Sequence, residues 1–321
     1  MVQIPDEWIN KLKNPQSPVH ELVNEFEALL YPERKDSLVK KKITDKLILK
    51  PTFINIDKSP EEELLLWIGH IEVCEFAIIK QIKGKWYLLD SNIHFTSLHF
   101  PKLRIGDSLS KQNPKVLYTS HLYGRGSGFG WGKWHFFRIE NHRVITGLKV
   151  IDGAVLSTVE GSIGHDVHTK VQIKSIDSIN IIYDYAFTLG RASLYLNSTY
   201  FQQNDSTLMS VPFIKGEIKM TYTWNQATQK YQLEDEVLQA KEKFMNDYGR
   251  VSDFYNAFES EIKQSKHPNK DRVIEALHKA IKYEQTQPKV EGQTFLMLGY
   301  ITPSYYESRP QKRKTPLQKS E

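Results

Sequence analysis

Residues 55–90 read NIDKSPEEELLLWIGHIEVCEFAIIKQIKGKWYLLD, a polar acidic turn feeding three apolar runs. Short apolar runs rich in β-branched and aromatic residues, bounded by turn formers, predict strands rather than helices. Residues 71–79 and 86–89 flank QIKGK as a hairpin. The same pattern extends outward from about Leu47 to Trp224. Residues 136–139 and Val144-Ile145 flank Glu140-Asn141-His142 as a second hairpin, and further strands are expected at 167–173, 179–189, 193–200, 208–213 and 217–224. Strands joined by short turns predict antiparallel sheets, as a sandwich, a barrel or a partial propeller.

The two ends of the chain carry a helical period instead. Pro5 followed by Asp6 and Glu7 resembles a helix start, because acids in a first turn complement the helix dipole. Ser17-Pro18 opens a second helix with one apolar stripe, Val19, Leu22, Val23, Phe26 and Leu30, ended by Pro32. Beyond Leu233, three stripes follow: Val237, Leu238, Phe244, Met245 and Tyr248; Val251, Phe254, Tyr255, Phe258 and Ile262; Val273, Ile274, Leu277 and Ile281. These read as packing surfaces. Residues 293–301 read as a late strand. The expected organisation is an amino-terminal helical segment at 1–46, an antiparallel β domain at 47–230, a carboxy-terminal helical layer with the late strand at 231–303, and a disordered basic tail at 304–321.

Composition bounds the function. With 321 residues, 40% of them hydrophobic and 12% aromatic, the chain can fill a sizeable core. The formal charge of +5 looks basic, but the run RPQKRKTPLQKSE at 309–321 carries five basic residues against Glu321, so the body is nearly neutral. An extensive nucleic-acid face on the folded body is therefore not expected. Cys74 is the one cysteine, which excludes intrachain disulfides and cysteine-rich zinc sites; its strand-like setting predicts a buried small residue. No apolar run approaches the roughly 20 residues that a membrane-crossing helix needs.

Residues 54–66, INIDKSPEEELLL, resemble one copy of the FG-GAP or VCBS repeat, the integrin-type β-propeller unit in which D-x-D-x-D-G-x-x-D/E precedes an apolar strand. In that family the loop wraps a calcium ion, a hard cation that takes six or more oxygens. The resemblance places Asn55, Asp57 and Ser59 at the first three ligand positions and Glu63 at the final carboxylate. Pro60 stands where the family has glycine, and Ser59 replaces a charged ligand, so a polar structural turn is the competing expectation. The resemblance covers residues 55–90 and implies an extracytoplasmic scaffold more than an activity.

No complete catalytic motif is present. Ile105-Gly106-Asp107-Ser108-Leu109-Ser110 matches the GDSL signature of one serine-hydrolase family by letters, which would make Ser108 the nucleophile. That family's downstream glycine before Asn-Asp is missing at Gln203-Asn204-Asp205, and His168 follows Asp166 by two residues instead of three. The alternative for Ser108 is a turn with a helix cap.

The glycine cluster at 124–132, GRGSGFGWG, fails both G-x-G-x-x-G and Walker spacing. Its glycines alternate with large rings, which suits either a close strand crossover or an aromatic-walled recess for a sugar, peptide or apolar group, with Tyr123, Arg125, Trp131 and Trp134 as its ligand-binding residues. His165, Asp166 and His168 form a compact metal-like cluster, but on a strand residues three apart point to opposite faces. The leading expectation is a non-enzymatic, bacterial-type envelope or secreted scaffold or binding module with a protein or glycan partner and no cofactor, calcium being the only ion suggested. The alternatives are a serine hydrolase using Ser108, and a structural subunit docked through its carboxy-terminal helices or tail.

Overall fold

The computed structural model describes residues 1–14, 17–30, 47–57, 59–70, 73–95, 103–106, 116–126, 129–156, 163–189, 211–247 and 250–286. It is mainly β, built from two antiparallel sheets with helices at both ends of the chain. The first sheet holds β1 (Val2–Ile4), β2 (Leu47–Ile54), β3 (Glu63–His70), β4 (Val73–Ile82) and β5 (Lys85–Phe95), in the order β1-β5-β4-β3-β2. The second is a meander of eight in sequence order: β6 (Leu103–Gly106), β7 (Val116–Gly126), β8 (Phe129–Glu140), β9 (Arg143–Leu156), β10 (Ile163–Ser175), β11 (Ser178–Leu189), β12 (Ile214–Asn225) and β13 (Lys230–Gln232).

The run Leu64-Leu65-Leu66-Trp67-Ile68 does not alternate with polar residues because both faces of its strand are covered. Leu64, Leu66 and Ile68 join Ala77, Ile79, Trp86 and Leu88 under α1 (Asp6–Lys13) and α2 (Val19–Leu30). There Trp8 stacks on Phe26 at 5.1 Å and donates its indole N–H to the carbonyl of Leu22 at 3.3 Å. Leu65 and Trp67 point the other way and meet Phe76, Ile78, Leu117, Phe137 and Ile139, so the two sheets pack face to face. Pro51 is tolerated within β2 because β2 is the sheet's edge.

The far face of the large sheet carries the main core. Odd residues of β11 (Ile179, Ile181, Tyr183, Tyr185, Phe187 and Leu189) are buried under α3 (Glu236–Asp247), α4 (Val251–Gln264) and α5 (Lys270–Thr286). Phe187 is the centre, with the rings of Phe244, Phe254 and Phe258 at 5.1–5.5 Å. Asp235 starts α3 by accepting the amide of Leu238 at 3.0 Å, and Asp253 caps α4 by accepting the amide of Arg250 at 3.1 Å. Both expected hairpins are present. Lys83 and Gly84 (φ 51° and 78°) turn β4 into β5, and Asn141 and His142 (φ 50° and 58°) turn β8 into β9, the left-handed pairs that match strand twist.

The large sheet has one interruption. β9 and β10 pair only where Gly153–Leu156 face His165–His168. Asp152 is a bulge residue left out of the β8 register between Ile151 and Gly153. Beyond it, side chains hold the two halves where a ladder would. Thr169 Oγ1 donates to the Asp152 carbonyl at 2.6 Å, Trp134 Nε1 donates to Thr169 Oγ1 at 3.1 Å, and Arg138 reaches the carbonyl of Ile176 at the next hairpin turn, 3.0 Å away.

Two of the expected helix positions differ in detail. Val19 and Val237 are exposed rather than in their stripes, because each lies in the first turn of its helix, outside the packed interface. The strand at 193–200, the late strand at 293–301 and the tail at 304–321 lie outside the described residues.

Candidate functional site

The acidic loop between β2 and β3 does bring its four marked residues together. Three of them, Asp57, Ser59 and Glu63, converge on Lys80. Glu63 opens β3 and stands directly opposite Lys80 of β4 in the antiparallel register, so the two side chains share the face that meets the large sheet. Lys80 Nζ donates to Glu63 Oε1 at 2.6 Å, to Ser59 Oγ at 2.7 Å and to Asp57 Oδ2. Glu63 is wholly buried and Lys80 is 3% exposed. The second Glu63 oxygen accepts the backbone amide of Ile56 at 2.8 Å, which ties the loop to the strand it precedes. Asp57 Oδ1 accepts the amide of Ser59 at 2.7 Å, and Asn55 closes the loop through the carbonyls of Ser59 and Glu61.

Electrostatics follow from one ammonium facing two carboxylates. Burial pushes Glu63 up, only partly offset by the hydrogen bond from Lys80. For Asp57 burial acts the same way, but hydrogen bonds from Lys80 and Ser59 outweigh it and hold the carboxyl below its ordinary range. Burial works against the charge on Lys80, and the hydrogen bonds to Asp57 and Glu63 raise its pKa in net. Asp57 and Lys80 are therefore the charged pair, with Glu63 the costlier second anion.

The glycine-rich segment forms the β7–β8 hairpin. Gly124 and Ala154 are the cross-strand neighbours of Trp131 on either side, and their small size makes room for the indole, which is 2% exposed. Lys133 Nζ sits 4.9 Å from the Trp131 ring centre. Trp134 is 8% exposed and packs edge-on to Tyr118 at 5.2 Å. Both tryptophans belong to the main core. Tyr123 falls at a register shift between Leu122 and Gly124, and Arg125 pairs with Gly130; their side chains lie outside the described residues. So does Ser108, two residues past the end of β6, an edge strand antiparallel to β7.

His165 and His168 lie on β10 and point to opposite faces. His165 is buried, stacked on Phe244 at 5.0 Å and edge-on to Phe187 at 5.2 Å, and burial pushes its imidazole down to about 3. His168 is exposed and lies 3.1 Å from Asp166. Among the described residues no group of three or more His, Cys, Asp or Glu side chains is arranged to hold a metal.

Two polar networks are invisible in sequence spacing. Arg138, 4% exposed, pairs with Asp177 at 2.7 Å and Glu140 at 2.8 Å while its guanidinium lies 4.1 Å from the Trp224 ring centre. Beneath α3, the Tyr183 and Tyr222 hydroxyls are 3.2 Å apart, and Tyr222 donates to Glu242 Oε1 at 3.0 Å. Asn246, one turn on from Glu242, accepts the amide of Ile151 at 2.8 Å beside the β9 bulge. Burial raises both tyrosine hydroxyls well above the ordinary phenol range. Hydrogen-bonded partners are separated by up to 39 positions in the first network and 95 in the second, so no local motif marks them.

Comparison with protein-family models, with curated proteins and with solved structures gives no match.

Proposed function

We propose that the protein is a non-enzymatic scaffold or binding module of the envelope or secreted type, with a protein or glycan as its partner. The observation that carries this is the fate of its buried charges. Lys80, Glu63, Arg138 and Lys241 are each engaged by an opposite charge, and buried Lys133 lies over the Trp131 ring. A general acid, base or nucleophile needs a side chain turned toward a reacting group. These side chains are turned toward one another.

The GDSL alternative asks for a nucleophile at a strand-to-helix turn of an α/β fold, whereas every strand pair described is antiparallel. With Trp131 and Trp134 inside the core, contact with a partner falls to the tip of the β7–β8 hairpin, the region of Tyr123 and Arg125. The extracytoplasmic placement rests on the FG-GAP-like loop alone. Labelling with a fluorophosphonate probe tests the reading: no label on the full chain is expected, and a label abolished by Ser108→Ala would establish the hydrolase instead. A partner pulled down by the wild type should be lost with Tyr123→Ala/Arg125→Ala while cooperative unfolding is retained.

A further inference from the structure

The centre of the β2–β3 loop is occupied by a positive charge that belongs to the chain itself. Three side-chain oxygens from three residues, Asp57 Oδ2, Ser59 Oγ and Glu63 Oε1, converge on Lys80 Nζ. A fourth, Asn55 Oδ1, is buried in the same loop and accepts no hydrogen bond. We infer that Lys80 is the tethered cation that closes this loop, and that removing its ammonium leaves an oxygen cage that takes up a divalent cation of calcium's size.

Charge balance favours this. Among the described residues of the loop, Asp57 and Glu63 bring two carboxylates, and the Lys80 ammonium neutralises one of them. Without Lys80 the loop holds two facing anions in a place where Glu63 has no solvent to relax into. Such a loop must protonate, unfold or recruit a cation. A divalent ion matches the formal charge of the pair. Carboxylate, hydroxyl and amide oxygens are ligands that calcium accepts, with waters completing its shell. Magnesium is a poorer match, because it requires a near-ideal octahedron at shorter distances than a loop pinned by Pro60 and the β3 register can adjust to provide.

The tethered ammonium also accounts for the loop's sequence. A metal-closed loop needs a glycine for its sharp turn around the ion, and it needs charged ligands. Here the cation arrives on a flexible four-carbon stem from the neighbouring strand, so the turn tolerates Pro60 and a neutral hydroxyl at Ser59.

The experiment compares the wild type, Lys80→Ala, Lys80→Ala/Asp57→Asn and Lys80→Ala/Glu63→Gln by thermal unfolding in EDTA and in 10 mM CaCl2, a concentration chosen to exceed the roughly millimolar Kd of weak calcium modules, at matched ionic strength. The wild type should have the same Tm in both. Lys80→Ala should be clearly less stable in EDTA and recover by several degrees in calcium, and Asp57→Asn added to it should abolish the recovery. Should Lys80→Ala fail to fold in EDTA, refolding from urea with and without calcium replaces the melt, and recovery only with calcium is then the expected result. Lys80→Ala/Glu63→Gln, relieved of the buried anion, should fold without a cation and ignore calcium. The inference is overturned if Lys80→Ala matches the wild-type Tm in EDTA, if calcium neither stabilises nor refolds it, or if the wild type itself loses stability in EDTA.

Discussion

Replacing Trp131 by alanine separates a core tryptophan from one that walls a binding recess. The indole is 2% exposed, lies between Gly124 and Ala154, and has Lys133 Nζ at 4.9 Å from its ring. A buried tryptophan removes about 150–250 Å² from water, so at about 25 cal/mol per Å² the transfer contribution is roughly 4–6 kcal/mol. Residual burial in the unfolded chain trims this by about 10–40%. Loss of the lysine contact adds back about 1 kcal/mol. Because Gly124 and Ala154 have no side chains long enough to fill the gap, collapse recovers little of it, and a loss of about 3–5 kcal/mol is expected. Urea unfolding followed by far-UV circular dichroism and by tryptophan fluorescence measures it, with the m-value checked for constancy. A loss below about 1 kcal/mol, the range of exposed sites, would refute the core assignment and return Trp131 to a ligand surface.

Three further outcomes follow from the same packing. Arg138→Met removes the guanidinium that lies over Trp224 and leaves Glu140 and Asp177 without their cation; since Asp177 is half exposed, we expect a loss of about 2–3 kcal/mol in urea unfolding, below the range for fully buried pairs, and an unchanged midpoint would contradict the bridging role. Tyr222→Phe should cost about 1–2 kcal/mol and more than Tyr183→Phe, because Tyr222 bonds both Tyr183 and Glu242 whereas Tyr183 sits at the end of the chain; the reverse order in paired melts would reject the relay. His165 stays neutral when folded because its imidazole is pushed down to about 3. The unfolded chain binds that proton from about pH 6.5 downward, so acidification removes stability at about 1.4 kcal/mol per pH unit through this window. Titrating ΔG of unfolding between pH 7 and 4.5 should show a shallower decline in His165→Phe, and identical profiles would deny His165 this role.

The sequence was most informative where structure is local. The helix start after Pro5, the turns at Lys83-Gly84 and Asn141-His142, and the shift to a strand period at Leu47 all depend on neighbouring residues. The continuous apolar run at 64–68 read as a strand, and the structure adds that both of its faces are covered. What stayed hidden depends on distant partners. Nothing in VQI before the first helix reveals that it pairs with β5, and no spacing rule divides the strands between two sheets. The acidic loop was legible as a structural polar turn or a calcium loop, but its lysine partner sits on another strand, 17 residues beyond Glu63, and only the β3–β4 register brings it there. The ring-and-glycine segment left both a structural crossover and a recess open, because glycines beside rings serve either. The Cα partners of Trp131 supply what the letters lacked.

The line where β9 parts from β10 bears on how the protein tolerates sequence drift. A backbone ladder survives most substitutions, because every residue but proline brings the same amide and carbonyl. Along this line the cross-links are the hydroxyl of Thr169, the indole of Trp134 and the guanidinium of Arg138, which few other residue types reproduce. Changes at those three positions weaken the join between the two halves along the stretch that the short backbone ladder at Gly153–Leu156 does not reach.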